Sequence, residues 1–228
     1  MSKPTRTNHH AAGLYSTAEM ALDANEIRRA IRHLRSADPV MRELMKQAGP
    51  FTLKPRRDRF HTLVGSIISQ QISGKAADSI HARLKEHLAP DKISAESLLR
   101  LSPPQLRKAG VSPQKATYLL DLAARVADGS LKLERLNRLT DEEVIEALIQ
   151  VKGIGVWTAQ MFLIFSLGRL DVFPHDDLGV RVALRNLYGL DDLPDKHISH
   201  RIAAPWRPYA SVATWYCWRS LDIKKKDS

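Results

Sequence analysis

The chain has 228 residues, of which 43% are apolar and 26% charged, and these proportions are ordinary for a soluble globular protein with a buried core. Its single cysteine excludes an internal disulfide framework and any four-thiolate zinc or iron–sulfur centre within the chain, so we expect a reducing, intracellular compartment. No apolar run is long enough to span a membrane, and the net charge of +10 favours nucleic acid as the partner.

The first half of the sequence predicts helices. Residues 1–20 are interpreted as a flexible basic tail and not as a secretory signal, because no apolar segment follows their basic residues. From Ala24 to Gly49 apolar residues recur at helical spacing, with a break at Pro39. The following segment, "FHTLVGSIISQQISGKAADSIHARLKEHL", predicts two helices that part near Ser73.

The middle of the sequence carries clear helix caps. "SAESLLRL" and "SPPQLRKAG" predict two short helices that open with serine, a common N-cap residue. "SPQKATYLLDLAARVADG" predicts a longer helix with Ser112 as its cap and Gly129 as its stop. "TDEEVIEALIQV" begins with the cap Thr140 and with acidic residues that suit a helix N-terminus.

The last third is richer in apolar residues. "GVWTAQMFLIFSLG" is almost entirely apolar and predicts a central, buried helix. "DLGVRVALRNLYGL" and "RPYASVATWYCWRSL" predict two further helices, and Cys217 in the second is assigned to packing. Residues 224–228 read as a basic tail. No segment shows the alternation of a strand, so the chain is predicted to be all-α.

The turn "KGIG" between two of these helices could bind phosphate. Gly153 and Gly155 remove side-chain bulk and allow positive φ, and the next helix begins at once, so its N-terminal N–H groups point outward. Such an N-terminus attracts a phosphate without reading base sequence. The alternative is a plain helical hairpin whose glycines serve packing, but the full pattern in a basic chain favours phosphate.

The stretch "VFPHDDLGVRVAL" raises a second question. Asp176 and Asp177 precede a predicted helix, and on this segment alone an aspartate before the helix is explained as an N-cap. His175 is interpreted as a surface or DNA-facing side chain.

Three segments together resemble a known family. They are "LIQVKGIGVWTAQMFLIFSLGRLDVFPHDDLGVRVAL", "SIISQQIS" from Ser66 to Ser73, and "WRPYASVATWYCWR" from Trp206 to Arg219. Their order and content resemble the DNA-3-methyladenine glycosylase II branch of the helix-hairpin-helix/Gly-Pro-Asp DNA glycosylases, over about Ala24 to Ile223. The resemblance implies an all-α domain at 21–223 with two helical lobes around a cleft. The chain looks like the minimal helical form, without the additional β-rich domain of larger relatives.

The same resemblance assigns the catalytic role to Asp177, two residues before the glycine of "DLG". Breaking an N-glycosidic bond develops positive charge on the sugar, which a fixed carboxylate stabilises. The carboxylate could also orient or deprotonate the attacking water. The roles of cap and catalyst are compatible in one residue, and Asp176 is expected to be structural.

The family pattern also separates hydrolysis from strand cleavage. Bifunctional relatives place a Schiff-base lysine where this chain has Trp157, so the resemblance implies a monofunctional enzyme. Trp157 and Trp215 match positions that stack on the extruded base, with Met161 one turn after Trp157 in the pocket. Trp206 and Trp218 are interpreted as core residues.

The resemblance further implies how the chain would bind DNA. Gln71, with Gln70 beside it, is the candidate to fill the gap left by the extruded base, and the alternative is that both glutamines cap a helix end. The hairpin contacts are assigned to Lys152, Gly153, Gly155, Val156 and Thr158, and main-chain carbonyls of Ile149, Val151 and Ile154 to an alkali-metal ion.

The predicted function is a monofunctional DNA glycosylase that removes alkylated purines, chiefly 3-methyladenine, in base excision repair. Its predicted partner is double-stranded DNA, with no membrane association and no cofactor beyond the structural alkali ion. We expect a monomer, in the cytoplasm or nucleoid of a bacterium or in the nucleus of a eukaryote. Two alternatives remain open, a non-catalytic helix-hairpin-helix DNA-binding protein and a bifunctional glycosylase/lyase for other damaged bases.

Overall fold

The computed structural model describes residues 21–224, and within them the regular structure is helical, as predicted. The predicted tail at 1–20 lies outside these residues, as does the other predicted tail except for Lys224, which continues the last helix. No helix in the described range is both long and apolar enough to cross a membrane. The helices are α1 (Ala24–Ala37), α2 (Pro39–Ala48), α3 (Arg59–Ser69), α4 (Gly74–Leu88), α5 (Ala95–Leu99), α6 (Pro103–Lys108), α7 (Pro113–Ala127), α8 (Asp141–Leu148), α9 (Val156–Phe165), α10 (Leu178–Tyr188), α11 (Lys196–Ala203) and α12 (Ala210–Lys224).

The chain divides into two compact units. In its described part, one unit holds residues 21–55 and 163–224, and the other holds residues 56–162. In the first unit α12 packs on α2 and α10, and α1 packs on α2. In the second unit α7 packs on α3, α5 and α6, and α3 packs on α4. The cleft implied by the family resemblance stays a prediction.

The helix ends follow the chemistry of their capping residues. Ser112 accepts a hydrogen bond from the N–H of Lys115, and Thr140 forms a reciprocal capping box with Glu143, so both predicted caps are confirmed. Asp38 caps α2 immediately before Pro39, which explains the predicted break between the first two helices.

Two expectations needed correction, and one helix had not been predicted. The last helix begins at Ala210 and not at Arg207, because Arg207 precedes a proline and takes an extended conformation. The helix α9 is not buried throughout, since Val156 and Trp157 in its first turn are 50% and 46% exposed. The helix α11, which is capped by Asp195, was not predicted from the sequence.

The core of the first unit contains the single cysteine. Cys217 is fully buried among apolar residues of α12, α10 and α2, which confirms the packing role predicted for it. Burial raises the pKa of its thiol, and the nearby carboxylates of Asp38 and Asp177 raise it further. The thiol is therefore protonated at any physiological pH.

Candidate active site and DNA-binding hairpin

The turn that joins α8 to α9 depends on Gly153. Its φ of +80° lies in the left-handed region, and a β-carbon there would lie 2.1 Å from the ring of Tyr118. Gly155 differs, because a β-carbon at that position would meet nothing within 4 Å. The positive φ expected at both glycines is confirmed at Gly153 and wrong at Gly155, and the packing alternative applies to Gly153 alone. Val151 and Ile154 are buried and anchor the turn.

The hairpin presents a mixed surface. Lys152, Gly155 and Val156 are exposed, whereas Thr158, assigned to DNA contact from the sequence, is 6% exposed. The backbone N–H of Lys152 donates to the Oδ2 of Asp121, at 2.9 Å, and Asp121 also pairs with Arg125. Burial opposes the charge on Asp121, but these two donors together lower its pKa. The turn is thus attached to α7 by a carboxylate that stays ionised.

The "QQIS" turn lies against this hairpin. The side-chain amide of Gln70 donates to the carbonyl of Gly153 at 2.8 Å, across 83 residues of sequence. Gln70 also occupies the C-cap of α3, so the helix-end alternative describes part of its role. Gln71 is exposed and has a φ of +58°, which is uncommon for a residue with a side chain.

The carbonyls assigned to an alkali-metal ion lie in the same turn. Ile149 is the C-cap of α8, where carbonyls lie beyond the last helical hydrogen bonds. The carbonyl of Val151 accepts the N–H of Ile154 at 3.1 Å. Turn carbonyls of this kind fit the ligand preference of a hard cation, and the ion stays a prediction. Residues 21–224 contain no cluster of three or more His, Cys, Asp or Glu side chains arranged for a metal.

Asp177 is the N-cap of α10. Its Oδ1 accepts the backbone N–H of Val180 at 2.8 Å, and the residue is only 8% exposed. The cap interpretation of this aspartate is therefore confirmed. Arg181 lies one turn later and donates its Nε to the carbonyl of Pro194 at 2.9 Å, so it helps to hold the chain that follows α10.

A second donor reaches the same carboxylate oxygen. The indole Nε1 of Trp218 donates to the Oδ1 of Asp177 at 2.9 Å. The Trp218 ring stacks on Phe165 with centroids 5.5 Å apart and is only half-buried. Trp218 was predicted to be a core residue, and this bond was not predicted because no local pattern relates two residues 41 positions apart. The backbone N–H of Val180 and the indole N–H of Trp218 together fix the orientation of the Asp177 carboxylate.

The two residues before Asp177 differ in outcome, because Asp176 matches its expected structural role and His175 does not lie on the surface as expected. The carboxylate of Asp176 is largely exposed and pairs with the Nε2 of His175 at 3.2 Å. His175 was expected on the surface, but its side chain is only 16% exposed and its ring lies 4.9 Å from that of His200. Burial and the neighbouring His175 lower the pKa of His200. Asp176 thus forms part of the loop structure.

The aromatic residues assigned to the base pocket occupy unlike surroundings. Trp215 is 9% exposed and contacts Phe51 edge-on at 4.9 Å, with the guanidinium of Arg219 at 5.9 Å from its ring. Trp157 is 46% exposed in the first turn of α9, and Met161 is half-buried one turn later. The stacking roles of these residues stay predictions.

Comparison with known proteins adds to this geometry. Residues 64–208 match the family model of HhH-GPD superfamily base excision DNA repair proteins. DNA-3-methyladenine glycosylase 1 of Schizosaccharomyces pombe is 33% identical over 196 residues, which are 84% of this chain and 86% of the relative. A Bacillus subtilis relative is 32% identical over 169 residues, and the chain spans only 59% of its length.

Solved structures show the same likeness. A Bacillus halodurans DNA-3-methyladenine glycosidase superposes with a TM-score of 0.80 at 32% identity, covering 92% of this chain and 95% of the other. The Schizosaccharomyces pombe 3-methyladenine DNA glycosylase in complex with abasic DNA gives a TM-score of 0.75 at 32% identity, covering 85% of this chain and 97% of the other. The helical fold, the hairpin and the matched family model agree, and the chain belongs to the HhH-GPD superfamily of base excision DNA repair proteins.

Proposed function

We propose that the chain is a monofunctional DNA glycosylase that hydrolyses the N-glycosidic bond of alkylated purines such as 3-methyladenine. The observation that carries this proposal is the carboxylate of Asp177, which is buried at a helix N-terminus and held by two N–H donors on one oxygen. The proposal is supported by relatives and solved structures named for 3-methyladenine excision.

The chemistry requires one well-placed negative charge. As the bond between sugar and base breaks, the deoxyribose acquires oxocarbenium character. A carboxylate that is already oriented stabilises that charge without reorganising during the reaction. The N–H groups of Val180 and Trp218 bond only to an acceptor, so they keep Oδ1 of Asp177 in that role. The same carboxylate can orient the attacking water.

The leaving group explains why one carboxylate suffices. An alkylated purine is cationic, so it departs without a strong general acid. The exposed indole of Trp157 presents an electron-rich face that attracts such a cation more than a neutral base. Because Trp157 has no amine, it cannot form the Schiff base of a lyase, and the product would be an abasic site.

DNA binding follows from the hairpin and the charge. Gly155 leaves open space at the start of α9, where a phosphate could approach the N-terminal backbone. The net charge of +10 supplies long-range attraction. Gln71 is exposed on its turn and is our candidate to fill the stack after the base leaves. We propose that the chain acts as a monomer in the compartment that holds the chromosome, which is the nucleoid of a bacterium or the nucleus of a eukaryote.

The decisive measurement is base release from duplexes that each carry one lesion, including 3-methyladenine and 7-methylguanine. We expect release by the wild-type chain and a loss of about 10²–10³-fold in Asp177→Asn, which keeps the hydrogen bonds on Oδ1 but removes the charge. Borohydride should trap no covalent adduct. Base release that survives Asp177→Asn would contradict the mechanism, and a trapped adduct would favour the bifunctional alternative.

Affinity for duplex DNA distinguishes a glycosylase from the alternative of a non-catalytic DNA-binding protein. Asp177→Asn should still bind an abasic duplex, with an affinity that falls steeply as salt rises. Gly155→Ala should weaken that binding without lowering the unfolding midpoint, because a β-carbon there meets no protein atom. A salt-independent affinity would argue against a phosphate-binding hairpin. A wild-type chain that binds but releases no base would be a binding module.

A further inference from the structure

The turn between α3 and α4 is held in an unfavourable backbone conformation. Gln71 has a φ of +58°, and this left-handed region costs a residue with a side chain about 1–2 kcal/mol. The side chain is exposed, so burial of Gln71 itself does not offset that cost. Contacts elsewhere in the turn must therefore stabilise its conformation.

Lys115 supplies two of these contacts. Its Nζ donates to the carbonyls of Ile68 and Gln70, each at 2.7 Å. The carbonyls at the end of a helix lack partners within it and carry partial negative charge, so an ammonium group is a favourable partner. The side chain is half-buried where it reaches these oxygens, and this burial lowers the pKa of Lys115.

The helix that carries Lys115 also supports the hairpin. Tyr118 packs its ring against Gly153, and Asp121 accepts the N–H of Lys152. These residues follow Lys115 at intervals of three along α7 and so share one face of the helix. The amide of Gln70 closes the arrangement by donating to the carbonyl of Gly153. One helix face thus holds the "QQIS" turn and the hairpin in a fixed relation.

We propose that Lys115 is a positioning residue for base extrusion, because it fixes the backbone on both sides of Ser69 and so holds Gln71 in the left-handed conformation that directs its side chain. This inference rests on the proposed function, in which Gln71 fills the gap in the stack. Lys115 acts through the turn and not through a phosphate, since its ammonium already bonds to two protein carbonyls.

A double-mutant cycle tests this role. Lys115→Met should lower base release from a lesion-bearing duplex by about ten- to a hundredfold, as expected for a displaced group. Gln71→Gly, which keeps positive φ without strain, should give a loss of similar size. The double variant should be no slower than the worse single variant, because both changes remove the same contribution, a correctly placed Gln71 side chain. Lys115→Arg should recover most of the activity by donating to the same carbonyls.

Two further measurements make the cycle specific. Lys108→Met removes an exposed lysine of the same unit and should leave base release unchanged. The salt dependence of binding to an abasic duplex should keep its slope in Lys115→Met, whereas a lost phosphate contact would reduce the slope by about one. Should Lys115→Met fail to fold, Lys115→Gln replaces it in the same cycle.

The outcomes separate this proposal from the one it rests on. Losses that multiply in the double variant, unchanged release in Lys115→Met, or a reduced salt slope would each overturn the positioning role. A wild-type chain that releases no alkylated base would instead contradict the proposed function, before any variant is compared.

Discussion

Two aspartates in the first unit share the same local chemistry. Asp38 and Asp177 each cap a helix, each is buried, and each accepts a bond from a tryptophan indole. At Asp38 both carboxylate oxygens accept hydrogen bonds. The N–H groups of Val40 and Met41 donate to Oδ1. The indole of Trp206 and the hydroxyl of Tyr188 donate to Oδ2. At Asp177 the cap and the indole meet on Oδ1.

The difference teaches that a cap motif and a tryptophan partner do not mark a catalytic carboxylate. Trp206 is fully buried, so Asp38 organises a core in which α1, α2 and α10 meet. Trp218 is only half-buried, stacks on Phe165 and donates its indole N–H to Asp177. The structural aspartate, Asp38, is recognised here by its fully buried indole partner and by donors on both of its oxygens. This comparison predicts opposite outcomes for matched substitutions.

The largest effect is expected in activity. Asp177→Asn should lower base release by about 10²–10³-fold while the unfolding midpoint changes little, because asparagine is an equally good N-cap. Asp38→Asn should leave the base release of the folded protein close to that of the wild type. Base release under single-turnover conditions, with folding followed by circular dichroism, checks both. Equal losses of activity would remove the distinction between the two aspartates.

The next effect is expected in stability. In Asp38→Asn an amide NH₂ replaces Oδ2 and faces the indole N–H of Trp206, so two donors meet without an acceptor. We expect a loss of about 3 kcal/mol in the free energy of unfolding. Chemical denaturation of Asp38→Asn and Asp177→Asn measures the contrast. A loss below that of Asp177→Asn would show that the enclosure of Asp38 does not stabilise the fold.

The two tryptophans sharpen the comparison further. Trp206→Phe leaves an unfilled space in the core and removes a donor from Asp38, so we expect destabilisation of about 2–4 kcal/mol. Trp218→Phe keeps an aromatic ring beside Phe165 and should cost only about 1 kcal/mol. Base release should nevertheless fall about tenfold in Trp218→Phe, because the carboxylate of Asp177 loses its second fixed donor. The reverse pattern would contradict these assignments.

The smallest effect concerns the phenol at Asp38. Tyr188 donates its hydroxyl to Oδ2, and burial with the adjacent carboxylate raises the pKa of this tyrosine, so the group stays protonated. Tyr188→Phe removes one of four donors and should lower stability by about 1 kcal/mol. Its base release should match the wild type. Thermal unfolding with an activity assay distinguishes this outcome from a catalytic role for Tyr188.

Local sequence predicted much of this molecule. Helix caps such as Ser112 and Thr140 act within three residues, so their pattern is visible in the sequence. Gly153 was identifiable because only glycine combines positive φ with close packing. The apolar spacing of α1 and α2, interrupted at Pro39, gave their boundaries.

The remaining features depend on contacts that no local pattern encodes. Every residue from Ser211 to Cys217 is buried, so periodicity could not show which tryptophan of α12 would face Asp177. Lys115 reaches carbonyls 45 and 47 residues away. The left-handed backbone of Gln71 could not be predicted, because a glycine is the usual sequence signal for a positive φ and this position carries glutamine. The Ile198 and Ile202 spacing with Asp195 could have revealed α11.

The burial of the Cys217 thiol affects how readily the protein itself is alkylated. Agents that methylate purines also attack sulfur, and they react with the thiolate far more readily than with the thiol. Cys217 is fully buried and its pKa is raised by burial and by both aspartates, so it offers neither access nor a thiolate. The single sulfhydryl of this chain is therefore protected from the agents that create the lesions it is proposed to remove.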